Sequence, residues 1–462
     1  MEKKLQKIEN NFHAWKRRNL TFEGKVLLVK SLGISVAGYE IQMTGIPERY
    51  VKQVKDKLWS FLWGSKTPLI NKESACLPKL EGGLGMLNIE NFIKIKQIKL
   101  IEEIKNSEPQ EWNALAKHWL KILDENNSIN MLITKVSDLR YIDLKQMPIF
   151  YQKAVRSWTE LQQHRKVSTK ADILNENLFC NNFIQTNRRP VFLKHWIQDK
   201  IIKIKHIWDE KEKTWIAERQ IMNKLSKKNR WMTELLMIRQ AIPTAWITVL
   251  KDDSAVDAAN APDLIINEQG EILINSKSIK KSTNKNILKV LQENNKKKTP
   301  CIKYWNEKLE KELPWEHIWK NLKLSKCNNN VKQFQWKSIH NVLNTNVRLK
   351  KMKKGNGTCP VCQRDQEDQI HLFFLCRNIQ TVIAKMNEKI KEIKQNLTIN
   401  VENIIFGFDK SLTEVENRKF SSIIYIFKWE IWKNRNKAIF EKKYDPAEIV
   451  IRKILSELPP SL

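Results

Sequence analysis

The chain has 462 residues, of which 82 are Lys or Arg and 51 are Asp or Glu, so its formal net charge is +31. A surplus of this size attracts polyanions, which makes nucleic acid the expected partner and an acidic membrane surface the alternative. The sequence contains no run of eighteen apolar residues and no recognisable targeting signal at its start. We therefore expect a soluble, intracellular protein of the nucleus or cytoplasm, without a membrane partner.

Turn-forming residues are scarce, with 12 Gly and 14 Pro in the whole chain. Together with abundant Leu, Ile, Lys and Glu, this composition predicts a mainly α, multi-domain helical protein. Apolar residues at Leu5, Ile8, Phe12 and Trp15 follow the helical period, and Thr21 is placed to cap a second helix. A third amphipathic helix and a glycine-rich loop, LPKLEGGLGM, come next.

The middle of the chain reads as further amphipathic helices, interrupted by the segment PDLIINEQGEILINS. Apolar residues alternate on both sides of its central glycine, which predicts a short β-hairpin. We expect, in order, a helical region, a helical connector with the hairpin, a basic helical region, a small metal-binding knuckle and a C-terminal helical region. These segments cover residues 1–105, 106–275, 276–355, 356–380 and 381–462.

Positive charge is concentrated just before the knuckle. Residues 277–360 contain 21 Lys and Arg against five Glu, about half of the surplus of the whole chain. Basic side chains at such density are candidates for neutralising phosphates, and each contact would add salt dependence to binding. The alternative is that they only cover a solvated helix face. The candidate contacts are Lys337, Arg348, Lys350, Lys351, Lys353 and Lys354.

Three of the seven cysteines and one histidine fall within eighteen residues, in CPVCQRDQEDQIHLFFLC. Cys359, Cys362, His371 and Cys376 give the spacing C-x2-C-x8-H-x4-C. Three thiolates and one imidazole form a closed tetrahedral set, which suits one structural Zn²⁺ and leaves no position open for catalysis. The other four cysteines are isolated, so we expect single thiols there and no disulfide framework.

The residues around the ligands are expected to have structural roles. The stretch QRDQEDQI between the ligand pairs is polar and acidic, so we expect it to be solvated and not to contact phosphate. Leu372, Phe373 and Phe374 are expected to pack in the core, with base stacking as the alternative. Trp336 is expected to anchor the core and His340 to have a structural role.

Two acidic pairs are candidates for catalytic sites. Asp252 and Asp253 are of the type that holds Mg²⁺ in polymerases, but no aromatic residue stands two positions ahead of the pair and a polar loop follows it. Asp263 and Glu271 suggest a metal-dependent nuclease, but the lysine required two residues after the second acid is replaced by leucine. Neither pair is expected to be catalytic.

Several segments resemble one protein family. HAWKRRNLTFEGKVLLVKSL, FLWG and LPKLEGGLGMLNI resemble the region after the palm in reverse transcriptases of non-LTR, LINE-type retrotransposons. The segment from FQWKSIHNV to LFFLC resembles the zinc-binding domain near the C-terminus of the same polyproteins. The resemblance is strong over residues 10–105 and 315–435 and loose between them.

The resemblance implies that residues 1–105 are a post-palm, thumb-like region and that the knuckle helps to hold RNA or DNA. It carries the zinc ligands onto Cys359, Cys362, His371 and Cys376. The catalytic palm and the endonuclease of that family precede the represented part, so we expect a nucleic-acid-binding chain that is not itself an enzyme. The alternatives are a zinc-stabilised protein-interaction module and part of an RNA-directed DNA polymerase whose catalytic half is missing.

Overall fold

The computed structural model describes residues 2–38, 47–64, 67–106, 111–122, 136–165, 167, 169–252, 264–266, 272–292 and 299–458. Most of these residues are helical, which confirms the mainly α prediction, and the described strands form three small antiparallel sheets. None of the described helices combines the length and the apolar character that a membrane crossing requires. Of the two acidic pairs in the sequence, Asp253, Asp263 and Glu271 lie outside the described residues.

The first half of the described chain contains twelve α-helices with named bounds. They are α1 (Glu2–Lys16), α2 (Phe22–Leu28), α3 (Glu48–Trp63), α4 (Lys72–Cys76), α5 (Ile89–Asn106), α6 (Glu111–Ile122), α7 (Ile149–Gln162), α8 (Lys170–Leu174), α9 (Lys194–Gln198), α10 (Glu218–Lys224), α11 (Trp231–Ala241) and α12 (Thr244–Lys251).

The second half adds nine more α-helices among the described residues. They are α13 (Asn284–Gln292), α14 (Pro300–Lys308), α15 (Trp315–Leu324), α16 (Asn329–Ile339), α17 (Asn346–Lys351), α18 (Gln380–Lys391), α19 (Val401–Phe406), α20 (Glu414–Phe440) and α21 (Ala447–Glu457).

The strands are short. Two hairpins, β1 with β2 and β3 with β4, have two residues in each strand, and β5, β6 and β7 form a three-stranded sheet. The predicted hairpin is confirmed by β5 and β6, which pair antiparallel from Leu264 opposite Ile274 to Ile266 opposite Ile272. The strands are β1 (Gln185–Thr186), β2 (Arg189–Pro190), β3 (Trp208–Asp209), β4 (Thr214–Trp215), β5 (Leu264–Ile266), β6 (Ile272–Ile274) and β7 (Lys277–Ser278).

The N-terminal helices follow the predicted pattern. In α1 the buried side chains are Leu5, Ile8 and Phe12, one face of the helix. The Thr21 hydroxyl caps α2 by accepting a hydrogen bond from the backbone N–H of Gly24 at 3.4 Å. Beyond α2 the chain continues as a π-helical turn, Val29–Ile34, which the apolar pattern does not predict.

The chain divides into two compact units. Unit 1 comprises Met1–Val36, Gln53–Leu87 and Lys297–Leu462, and unit 2 comprises Ala37–Lys52 and Asn88–Lys296. The units therefore group the chain differently from the five sequence segments, whose boundaries remain a prediction.

Unit 2 contains two hydrophobic cores. The first is built from α5, α6, α7, α13 and the β5–β6 hairpin, with Trp158 fully buried in it. The second is built from residues between Ile173 and Leu250, around the buried indole ring of Trp196. Arg165 and Glu176 form a buried ion pair in the same unit.

In unit 1 the glycine-rich loop, Pro78–Gly85, packs against α15 and α16. The carbonyl oxygen of Gly82 accepts hydrogen bonds from Trp336 Nε1 at 2.9 Å and from His340 Nε2 at 2.7 Å. Gly82 has φ +86°, and a Cβ atom built there would lie 2.5 Å from Cζ2 of Trp319. Only glycine fits both this backbone conformation and this close approach. Trp336 and His340 are buried, as the sequence predicts for core residues.

The long helix α20 runs through the core of unit 1 and contributes a fully buried lysine. Lys428 Nζ donates to Gln335 Oε1 at 2.9 Å, to Ser338 Oγ at 2.7 Å and to the Ile405 carbonyl at 3.1 Å. None of these acceptors carries a charge. Burial therefore lowers the pKa of Lys428 well below its ordinary value.

Candidate metal centre and nucleic-acid interface

Cys359, Cys362, His371 and Cys376 converge on one point in unit 1. Their ligand atoms all lie within 4.8 Å of one another, and all four residues are buried. The first two stand on a turn closed by an antiparallel bridge between Thr358 and Gln366. His371 begins a π-helical turn, His371–Leu375, and Cys376 follows directly after it. The predicted ligand set is therefore assembled around a space that one ion can fill.

The backbone of the knuckle fixes the positions of these ligands. The N–H of Cys359 donates to the Asp365 carbonyl at 2.8 Å, and the N–H of Cys376 donates to the His371 carbonyl at 2.8 Å. Gly357 has φ +93°, a conformation that glycine adopts without strain. The turn and the short helix are therefore held by local hydrogen bonds.

The donor set fits zinc. His371 Nε2 lies 3.4 Å from Cys362 Sγ, so this nitrogen faces the thiols, and Nδ1 lies 3.9 Å from an Asp365 carboxylate oxygen. The thiol of Cys359 hydrogen-bonds to Cys376, which raises the pKa of Cys359 and lowers the pKa of Cys376. The ligand atoms of both residues lie within 4.8 Å of each other, close enough to hold one cation together. Three sulfurs and one nitrogen match structural Zn²⁺.

A buried ion pair joins the knuckle to α20. Arg435 donates to both carboxylate oxygens of Glu367, at 2.8 and 2.6 Å, and Glu367 is fully buried. The same carboxylate accepts from the N–H of Asn346 at 2.6 Å at the start of α17. The expectation that QRDQEDQI is solvated is therefore wrong for Glu367 and also for Gln369, which hydrogen-bonds to Ser338.

The aromatic residues after His371 pack inward. Leu372 and Phe373 are buried, and the Phe373 ring contacts the Phe334 ring edge to face at 6.1 Å. This arrangement confirms core packing for these two residues. Phe374 is half-buried.

Cys180, Cys301 and Cys327 are buried single thiols, and Cys76 is partly buried.

The predicted nucleic-acid contacts occupy two places in unit 1. Lys350, Lys351, Lys353 and Lys354 are exposed at the end of α17 and just after it, immediately before the knuckle. Within the described part of the chain, no ion pair links any of these four ammonium groups to a carboxylate. Arg348 is less available, because it is half-buried and donates to the Asn341 carbonyl at 2.8 Å.

Lys337 lies apart from those four, on α16, where its ammonium group stands 5.2 Å from the centre of the Phe22 ring. Burial and the neighbouring charge of Lys25 lower its pKa. The pKa of Lys25 is lowered by burial, and that of Lys30 by burial and then by the charge of Lys79. The sequence does not predict that the charge of Lys25 acts on Lys337, because the two residues are about 300 positions apart.

Comparison with known proteins places the knuckle in a family. Residues 297–382 match the family model described as zinc-binding in reverse transcriptase. A protein of Arabidopsis thaliana, whose name classes it provisionally as a ribonuclease H protein, is 28% identical over 143 residues. The match covers 30% of this chain and 21% of that protein, so the chain corresponds to about a fifth of the relative's length.

The matched segment, residues 297–382, contains the four ligands as well as α14 to α17. Zinc is therefore the cofactor of this segment, and Cys359, Cys362, His371 and Cys376 are the residues able to hold it. The chain thus carries a zinc-binding domain of the type associated with reverse transcriptases.

Proposed function

We propose that the chain is a nucleic-acid-binding part of a non-LTR, LINE-type retrotransposon reverse transcriptase, corresponding to the C-terminal half of such a polyprotein. Its role is to hold RNA or DNA on a basic surface, and it does not itself polymerise DNA. The family match at residues 297–382 and the ribonuclease H relative support a retroelement origin. The resemblance of residues 10–105 to the region after the palm supports the LINE assignment.

One observation carries the binding proposal. Four exposed lysines, Lys350, Lys351, Lys353 and Lys354, stand next to the zinc site, and the described residues contain no carboxylate paired with them. Lysines that only keep a helix soluble are commonly interspersed with acidic residues. Phosphates of a nucleic-acid backbone would neutralise this cluster and release its counterions.

In this proposal the zinc ion is a staple that keeps the basic surface in place. The ligands are all supplied by the protein, so no position is left for a reacting molecule. Asn346, on the first turn of α17, donates from its side chain to the Thr358 carbonyl at 2.6 Å. Loss of zinc would therefore loosen the attachment of the lysine-bearing segment to the rest of unit 1.

A charge-matched mutant pair tests the proposal. In the test variant, Lys350, Lys351, Lys353 and Lys354 are replaced by Gln. In the control, four other exposed lysines are replaced by Gln, so that the net charge changes equally. The control positions are Lys227, Lys228, Lys442 and Lys443.

Fluorescence anisotropy with single-stranded RNA at 0.1 M salt is the measurement. The test variant is expected to bind at least about tenfold more weakly than the control, since counterion release from four phosphate contacts is worth up to roughly 10³ at this salt concentration. Equal affinities of the two variants would contradict the assignment of these lysines. Absence of binding by the unmodified chain would favour a protein-interaction module.

A further inference from the structure

A second concave site lies in unit 1, outside the zinc site and the predicted basic surface. It is a cavity of about 330 Å³ between α15 and the segment that runs from Phe408 into the first turns of α20. This volume is at the lower end of small-molecule pockets, which span about 300–1,000 Å³.

One wall of the cavity is aromatic. The His317 and Phe408 rings are stacked, with centroids 5.6 Å apart and planes inclined by 18°. His317 is exposed and Phe408 is half-buried, so part of this surface faces the cavity. A flat, partly exposed aromatic surface is the feature on which proteins stack unpaired bases.

The rim of the cavity is basic. Lys320, Lys410 and Arg418 line it together with one carboxylate, Glu414. Glu414 accepts a hydrogen bond from Lys320 and lies 3.6 Å from an Arg418 nitrogen. Lys410 is exposed, and the described residues include no carboxylate paired with it. Three cations against one anion leave a net positive edge, which is suited to a phosphate group.

The wall also holds an unsatisfied polar group. Asn321 is only 6% exposed, and its amide nitrogen has no hydrogen-bond partner among the described residues. Arg418 Nε is a second buried donor of this kind. Buried donors are nearly always paired, because an unpaired one costs about 1–3 kcal/mol. Asn321 and Arg418 both line the cavity, so a polar ligand that enters it lies beside these two side chains.

We propose that this cavity binds one unpaired nucleotide of an RNA or DNA strand. The base stacks on the Phe408 surface, Asn321 hydrogen-bonds to its edge, and the phosphate lies on the rim at Lys410. The proposal rests on the function proposed above and deepens it, because it adds recognition of single strands to a surface that contacts only phosphates.

The test compares strands with and without unpaired bases. Fluorescence anisotropy is measured for the full zinc-loaded chain with a 12-nucleotide single-stranded RNA and with a blunt RNA duplex of the same length. Phe408→Leu removes the Phe408 ring, and Asn321→Leu removes the amide group from the lining of the cavity. Phe440→Leu is the control, since Phe440 is 80% exposed at the far end of α20.

The proposal predicts that Phe408→Leu and Asn321→Leu each weaken single-strand binding by at least about fivefold. Duplex binding and the Phe440→Leu control remain unchanged. A 4-thiouridine-containing strand is expected to crosslink, on irradiation, to the peptides that contain His317 or Phe408. If Phe408→Leu loses its fold in thermal unfolding, Lys410→Gln replaces it, because this exposed side chain is not part of the core.

Each other outcome overturns one proposal in a recognisable way. If Phe408→Leu and Asn321→Leu bind single strands as tightly as the wild type does, the nucleotide site is refuted. The proposal for the lysine surface is not affected by that result. Competition by inorganic phosphate as strong as that by uridine monophosphate would reduce the cavity to an anion site. Mononucleotide binding without any polynucleotide binding would support the cavity and contradict the function proposed above.

Discussion

Gly82→Ala tests whether the glycine-rich loop is a structural part of the zinc-binding unit. Gly82 in the loop and Trp336 in α16 are joined by a hydrogen bond, although they are 254 residues apart in the sequence. The carbonyl oxygen of Gly82 accepts hydrogen bonds from Trp336 and His340, and the Cα of Gly82 faces the Trp319 ring. A single methyl group therefore perturbs the packing of α15 and α16 without changing any charge.

The expected cost has two parts. A residue with a Cβ atom pays about 1–2 kcal/mol in the left-handed conformation that Gly82 adopts at φ +86°. Overpacking against a buried ring costs about 1–3 kcal/mol more, because the new Cβ would lie 2.5 Å from Trp319 Cζ2 and 2.7 Å from Cε2. The free energy of local unfolding should therefore fall by about 2–5 kcal/mol.

Hydrogen exchange read by mass spectrometry is the assay, because it reports local stability in a protein of more than one unit. Peptides from α16 (Asn329–Ile339) are expected to exchange at least about twentyfold faster in Gly82→Ala. Gly24→Ala is the control, since its added Cβ would be 3.6 Å from the nearest atom and a helical alanine is favourable. Unchanged α16 exchange in a folded Gly82→Ala chain would refute the docking of the loop.

Three further outcomes are expected. Cys362→Ser should lower the zinc content from about one ion per chain to none, measured by inductively coupled plasma mass spectrometry, whereas Cys327→Ser should retain zinc. Burial lowers the pKa of His340 to about 4, so the folded state resists protonation of this side chain more than the unfolded state does. In urea unfolding, the wild type should therefore lose about 2 kcal/mol more stability between pH 7 and pH 5 than His340→Gln does. The pKa of Lys428 is also lowered by burial; stability should therefore rise with pH towards 10.5 by up to about 1.4 kcal/mol per pH unit, and the same titration of Lys428→Met should lack this rise.

The zinc ligands and the helices were predictable because their signals are local. Cys359 to Cys376 span eighteen residues, so their spacing alone reports that they can meet around one ion. The apolar period of α1 and the alternation in β5 and β6 likewise act over a few residues. The two segments with strong family resemblance also lie largely in one unit, a grouping that their sequences do not predict.

Long-range polar contacts could not be predicted in this way. Glu367 belongs to an acidic stretch that the sequence predicts to be solvated. Its partner Arg435 comes 68 residues later, and the two form an ion pair in the core. Lys428 would be placed on the surface by its charge, whereas three neutral acceptors from distant segments surround it. The cavity around Asn321 is similarly formed by residues about 90 positions apart.

The salt dependence of nucleic-acid binding tests the central claim most directly. The measurement is the affinity of the zinc-loaded chain for single-stranded RNA at several salt concentrations between 50 and 200 mM. The proposed lysine contacts predict a log–log slope of about −3 or steeper, to which each neutralised phosphate contributes about −0.7. A slope near zero, or no binding at any of these salt concentrations, would contradict a nucleic-acid-binding role for this chain.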